Sequence, residues 1–142
     1  MPQCDGTHCW DSTTCVAATV HAAGRTGLGW TYASPAAAGV IADLLAEAVV
    51  GADPMHVPTA YEAMRRAARN ALVPGLVTAA ISAVDVALWD LKARLLGTPL
   101  TRLLGQARPS APVYGSGGSP ATTTTSCEPN SAVGCTSSTF LS

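Results

Sequence analysis

Between Cys15 and Tyr32 the chain alternates. Val16, Ala18 and Val20 take every second position, with Ala17, Thr19 and His21 between them. That period of two predicts a strand with one buried face. Ala23-Gly24-Arg25 supplies a turn and Gly27 to Tyr32 a return strand, so the segment reads as a β-hairpin. After Ser34 the period changes. Ser34 is placed to cap a helix, Pro35 suits its first position, and Ile41, Leu44, Leu45, Ala48 and Val49 form one apolar stripe before Gly51 ends it. A second helix is predicted from Pro58 to Ala71, with "YEAMRRAARN" carrying its charges outward. A third and longest is predicted from Thr78 to Leu96, where Ile81, Val84, Leu88, Leu91 and Leu95 recur at helical spacing and Gly97 closes the run. Thr98, Pro99 and Gly105 punctuate a short helical turn, and "APVY" reads as another strand. The order is strands, three helices, a short turn and a strand, which makes the chain α+β, an antiparallel hairpin or sheet followed by a three-helix bundle.

Composition narrows the functional classes. With 142 residues the chain suits one domain with a real core. A hydrophobic content of 48% against 12% charged argues for a folded chain. The formal charge of −1 gives no electrostatic reason to expect nucleic acid or an anionic membrane as partner. No run of about 18 apolar residues is present to span a bilayer. "MPQCDGTHCWDS" has no basic start followed by an apolar stretch, so no signal peptide is expected and the cytoplasm is the expected compartment. Five cysteines, an odd number, do not suggest a disulfide framework, and incidental or buried thiols are expected instead. His8, His21 and His56 do not stand at zinc-site spacing from the thiols, so no metal site is expected.

Inside the longest helix the charged residues are Asp85, Asp90, Lys92 and Arg94. Asp90 and Arg94, four apart, are expected to form an exposed ion pair. Asp85 lies beside the apolar stripe, where a hydrogen-bonded structural acid at a helix or domain contact is the expected role. One helix face does not bring two carboxylates together across a cleft, so no acid–base pair is assigned. "GSGG" at 115–118 lacks the Lys and the following helix of a phosphate loop and reads as a flexible exit from a strand. No catalytic residue is nominated.

The stretch "AISAVDVALWDLKARLLGTPLTRLLG" (Ala80–Gly105) resembles the N-terminal-domain signature of the mandelate racemase/muconate lactonizing enzyme family of the enolase superfamily. Asp85, Asp90, Arg94, Pro99 and Gly105 are among the residues that carry it, and "DGTHCWDSTTCVAATVHAAGRTGLGWTYAS" is similar to the family's opening strands. The resemblance implies a capping domain at 5–110 after a disordered start at 1–4, and the start of a first barrel strand at 111–118. It implies an Mg²⁺-dependent enzyme that removes the proton α to a carboxylate: a racemase, epimerase, cycloisomerase or acid-sugar dehydratase. The substrate would be a small carboxylate or acid sugar, and the metal ligands and acid–base residues would lie on a barrel. None of these falls in this sequence, so no Mg²⁺ is expected to bind this chain, and it is expected to lack activity alone. Loops at 5–13 and 30–34 would close on the barrel mouth, with Trp10, Thr31 and Tyr32 nearest the substrate. Without the barrel the domain is expected to expose an apolar face and self-associate, or to dock on a full-length relative.

From Ser119 to Ser142 the pattern dissolves into Ser and Thr with one charge, Glu128. Read one frame over, the positions of Cys127, Ser131 and Cys135 admit apolar residues on one helix face. A frameshifted, disordered tail after a chain cut short before its barrel is therefore the expectation, and an ordinary disordered tail is the alternative.

Overall fold

The computed structural model describes residues 3–4, 7, 9–10, 12–71, 75–112, 122–127 and 133–141, by backbone alone at 3–4, 122–127 and 133–141. The elements, in chain order, are β1 (Gln3–Cys4), β2 (Cys9–Trp10), β3 (Ser12–Ala22), β4 (Arg25–Tyr32), α1 (Ala36–Val40), a π-helical turn (Ile41–Leu45), α2 (Ala46–Val49), α3 (Val57–Ala67), α4 (Leu76–Leu95), α5 (Leu100–Leu104), β5 (Thr122–Cys127) and β6 (Val133–Leu141). The layout is α+β, as the periodicity predicts.

The β3–β4 hairpin turns on Ala23 (φ 47°) and Gly24 (φ 72°), a left-handed pair whose twist matches the flanking strands. Its register runs from Ala22↔Arg25 to Cys15↔Tyr32. Val16, Ala18 and Val20 are buried, as alternation requires, and meet a helical layer of Ile41, Leu45, Met64, Val84, Leu88 and Leu91.

The first helix carries a feature that its pattern contains in retrospect. Ala37, Ile41, Leu45 and Val49 are buried at an interval of four. An α-helix advances about 40° past a full turn in four residues, so such a row winds away from the core. The wider turn at Ile41–Leu45 brings it back.

Sheet and helix meet most closely at two glycines. Gly27 and Gly29 are buried and point from β4 at α4. A methyl group at Gly27 would meet Ala87 O and lie 2.6 Å from Leu91 Cβ. One at Gly29 would meet Ala83 O and lie 2.6 Å from Ala87 N. Two strand residues rise about 7 Å and four helix residues about 6 Å. Gly27 and Gly29, two positions apart on β4, therefore stay matched to Ala83, Ala87 and Leu91 along α4.

Several boundaries shift. The second helix ends at Ala67 rather than Ala71, and the third begins at Leu76, where Thr78 Oγ1 accepts from the N–H of Gly75 at 3.1 Å. Pro99 precedes α5 in an extended conformation (ψ 142°), so it stands at the cap position expected of Thr98.

The termini differ from expectation in kind. Gln3–Cys4, expected to be disordered, pairs with Cys9–Trp10. Cys9 is disulfide-bonded and Cys4 stands opposite it in the register, which corrects the expectation of thiols throughout. The tail, expected to be disordered, forms β5 and β6, and β6 pairs along β3 from Ser12↔Leu141 to Val20↔Val133. The sheet order is β4-β3-β6-β5. β-Branched Thr suits an extended backbone, and β3 offers a row of amides and carbonyls beside it. Residues 111–112 lie in irregular structure, and the rest of the expected barrel strand, 113–118 with its "GSGG", falls outside the described residues, as does Glu128.

Two glycine substitutions should act in opposite directions. Gly29→Ala forces a methyl into α4 backbone and should lower unfolding free energy by about 3 kcal/mol. Gly39→Ala, whose methyl meets nothing closer than Asp43 Oδ2 at 4.0 Å, should raise it by about 0.5–1 kcal/mol through helix propensity. Urea denaturation of both proteins reads the pair.

Candidate functional site

The residues singled out from the sequence fall into two groups. Trp10 lies on β2, just before β3 begins, and Thr31 and Tyr32 close β4. Thr31 and Tyr32 therefore stand at the open end of the hairpin, away from the Ala23–Gly24 turn, and Trp10 stands on the chain that leads into β3. Strand alternation separates two of them. Tyr32 is 63% exposed on the outer face, whereas Thr31 is half-buried on the face toward the helices. The 30–34 segment expected as a loop is strand as far as Tyr32. Trp30, which sequence reasoning did not nominate, shares the outer face and stands edge-on to Tyr32, with ring centroids 5.2 Å apart and planes at 78°. Its i, i+2 spacing from Tyr32 was the available signal.

The signature residues form the second group, on α4 and after it. Asp90 does more than pair with Arg94. Its Oδ2 accepts from Arg94 Nε at 2.8 Å and from the backbone N–H of Leu28 at 2.9 Å. β4 is the edge of the sheet, and Leu28 directs its N–H away from β3. One carboxylate thus fastens the helix to the strand and satisfies an edge donor. It lies above the glycine contact, since Leu28 stands between Gly27 and Gly29. Arg94, at 57% side-chain exposure against 24% for Asp90, is the outer member of the pair.

Asp85 behaves differently. It is half-buried beside Trp89, no hydrogen bond or ion pair reaches it among the described residues, and burial pushes its carboxyl above the ordinary value. The hydrogen-bonded acid expected there is a carboxylate without a partner within the described chain. Two turns on, Lys92 donates to Met55 O at 2.8 Å and lies 5.1 Å from the centroid of Trp89, tying α4 to the segment before α3. Pro99 and Gly105 bracket α5, with Gly105 at a φ of 87° where its backbone turns away. Among the described residues no three His, Cys, Asp or Glu side chains cluster to hold a metal ion.

The hairpin and the helices that pack on it fall within the segment that the comparisons match. The family model for the mandelate racemase / muconate lactonizing enzyme N-terminal domain matches residues 5–105. The chain belongs to this family. It is 39% identical over 98 residues to a 3,6-anhydro-alpha-L-galactonate cycloisomerase of Streptomyces coelicolor, a match covering 66% of this chain and 27% of the relative. It is 35% identical over 98 residues to an L-talarate/galactarate dehydratase of Salmonella typhimurium, covering 67% and 25%. Among solved structures, a mandelate racemase/muconate lactonizing enzyme-like protein of Rubrobacter xylanophilus superposes with a TM-score of 0.70 at 46% identity, over 72% of this chain and 29% of that one. A Streptomyces coelicolor racemase with bound magnesium gives 0.60 at 35% identity, over 64% and 29%. The chain spans about a quarter of the length of the curated relatives it matches. Magnesium therefore occurs in the family.

Truncating the two members of the helix pair should separate their roles. Asp90→Ala leaves the Leu28 N–H without its acceptor and should cost about 1.5–3 kcal/mol. Arg94→Ala should stay within about 1 kcal/mol. Chemical denaturation, closed as a double-mutant cycle, distinguishes them. Asp85 yields a pH signature. A raised carboxyl binds its proton more tightly in the folded state, so its contribution is fully present in acid and lost as pH rises from the ordinary 3.8 through the raised value. Asp85→Asn should then be the more stable protein at neutral pH, with the gap closing toward acid. Thermal melts at several pH values check this.

Proposed function

We propose that this chain is the substrate-specificity cap of a mandelate racemase/muconate lactonizing-type enzyme, one that removes the proton α to the carboxylate of an acid sugar or related small acid. The observation that carries it is the match of residues 5–105 to the family's N-terminal domain, supported by relatives named for galactonate and for talarate and galactarate. In this reading the chemistry belongs to a barrel domain, where magnesium would stabilise the charge that develops on the carboxylate. The work of this chain is to close, orient and exclude water. Tyr32, at the open end of the hairpin, and Trp10, on the strand before β3, present aromatic surface to the substrate, and Thr31 supports the strand that carries Tyr32. Asp90 and the glycine contact hold that strand against α4, so the aromatic groups are positioned by a rigid element.

A second reading is a docking module that binds a full-length relative without catalysis. The partnerless carboxylate of Asp85 favours it, since a partner with an N–H or a cation facing Asp85 would satisfy a group that this chain leaves open. The cytoplasmic location belongs to the same proposal, although the Cys9 disulfide is a feature uncommon there.

The test is direct. The purified chain is incubated in D₂O with Mg²⁺ and a panel of acid sugars, and exchange at the α carbon is followed by NMR. No exchange above the buffer rate is expected. Magnesium-dependent exchange would overturn the cap reading, and co-elution with a full-length relative without exchange would move the assignment to the docking module.

A further inference from the structure

Antiparallel pairing sets four of the five cysteines opposite one another, two by two. Cys9, which is disulfide-bonded, stands across from Cys4 in the β1–β2 ribbon. The same opposition recurs at the other end of the chain, where Cys127 closes β5 and Cys135 of β6 is its register partner. Opposed residues of an antiparallel pair have Cα atoms about 4.5 or 5.5 Å apart. A disulfide spans Cα separations of about 4.4–6.8 Å, so such a register accepts one without backbone movement. Cys15 is the exception. It is a free thiol opposite Tyr32 and Ser138, and burial raises it above the ordinary value.

We propose that Cys127 and Cys135 form a second, reversible disulfide, which latches the tail ribbon to β3. The oxidant is a small disulfide of the glutathione class. The thiolate of one cysteine attacks a sulfur of the oxidant and displaces one thiol, leaving a mixed disulfide. The thiolate of its register partner then attacks the protein sulfur of that bond and displaces the second thiol. Two electrons pass to the oxidant, and the two cysteine protons end on the two thiols released. A dithiol reverses both steps.

The row in which the pair stands gives the bond its consequence. Cys127 and Cys135 continue across the sheet to Ala18 and Gly29, and Gly29 is the residue that meets α4 at Ala83 and Ala87. The tail is held on β3 by backbone pairing. Opposite the buried Val16 it offers Ser137, so burial of apolar surface adds little there. A ribbon held in this way depends on how much freedom its released state has. Closing the loop from Cys127 to Cys135 removes part of that freedom, which favours the paired tail by a factor on the order of ten to a hundred. In a reducing compartment such a bond is transient and reports the oxidant. The proposal is independent of the cap reading, because its test uses no substrate.

In the experiment the full chain is incubated with oxidised glutathione, alkylated in acidic denaturant and cut with trypsin. Trypsin frees residues 103–142 in one piece, because Arg108 precedes a proline, and Cys127 and Cys135 are the cysteines of that peptide. The peptide should emerge unalkylated and two hydrogens lighter than its reduced form, and should take two labels after dithiothreitol. Hydrogen exchange reads the latch. Cys127→Ser keeps the Cys9 disulfide, and its β3 amides on the β6 side should exchange on the order of tenfold faster than in the oxidised wild type. Should that variant misfold, the wild type before oxidation gives the same comparison. Alkylation of both cysteines after oxidation, glutathione retained on either, or a bond from either to Cys15 would overturn the proposal. So would a disulfide that leaves exchange along β3 unchanged.

Discussion

Everything in this fold rests on how close α4 comes to β4. A helix on a sheet is ordinarily kept at a distance by the side chains between them. Here the strand presents Gly27 and Gly29 and the helix presents Ala83 and Ala87, so backbone meets backbone. That approach brings Asp90 within reach of the Leu28 amide, and a longer separation would leave the carboxylate in solvent and the amide bare. It also sets the depth of the core. Val16, Ala18 and Val20 reach Leu88 and Leu91 because β3 is carried on a strand already pressed to the helix. The fourfold row on the first helix then needs its π-helical turn to keep Ile41 and Leu45 facing the same centre.

Much of this was legible in the sequence, and the legible part is local. Alternation at Val16, Ala18 and Val20 depends only on strand geometry, and the spacing of Ile81, Val84, Leu88 and Leu91 only on helix geometry. What could not be read there depends on the partner. Gly27 and Gly29 look like weak strand residues until α4 is placed against them. Asp90 looks like half of a surface pair until an edge strand passes beneath it. The interval of four at Ala37, Ile41, Leu45 and Val49 was present, yet an apolar stripe accounts for it without asking whether the helix winds.

The ends of the chain show the same division. The Ser/Thr run has no period, so the sequence offers no buried face on which to found an element. Its place beside β3 comes from backbone pairing, which is indifferent to side-chain pattern. The Cys9 disulfide likewise depends on what the fold brings beside Cys9, whereas counting cysteines weighs only their number. The candidate site is intermediate. Trp10, Thr31 and Tyr32 were placed by resemblance, and the fold sets Thr31 and Tyr32 at the open end of the hairpin on opposite faces of β4, with Trp10 on a strand of its own before β3.

The bond from Asp90 to the edge of β4 has a further consequence. A bare edge strand is a template on which another chain can add itself, and repeated addition is the route to fibrils. The residues flanking Leu28 on this edge are Gly, Trp and Thr, which would not resist such growth by charge. With its central amide occupied, the edge offers an incoming strand an interrupted ladder, and the interruption is made by a residue of the helix rather than of the strand. The protection of this edge is thereby tied to the docking of α4, because the bond that interrupts the ladder reaches it from the helix.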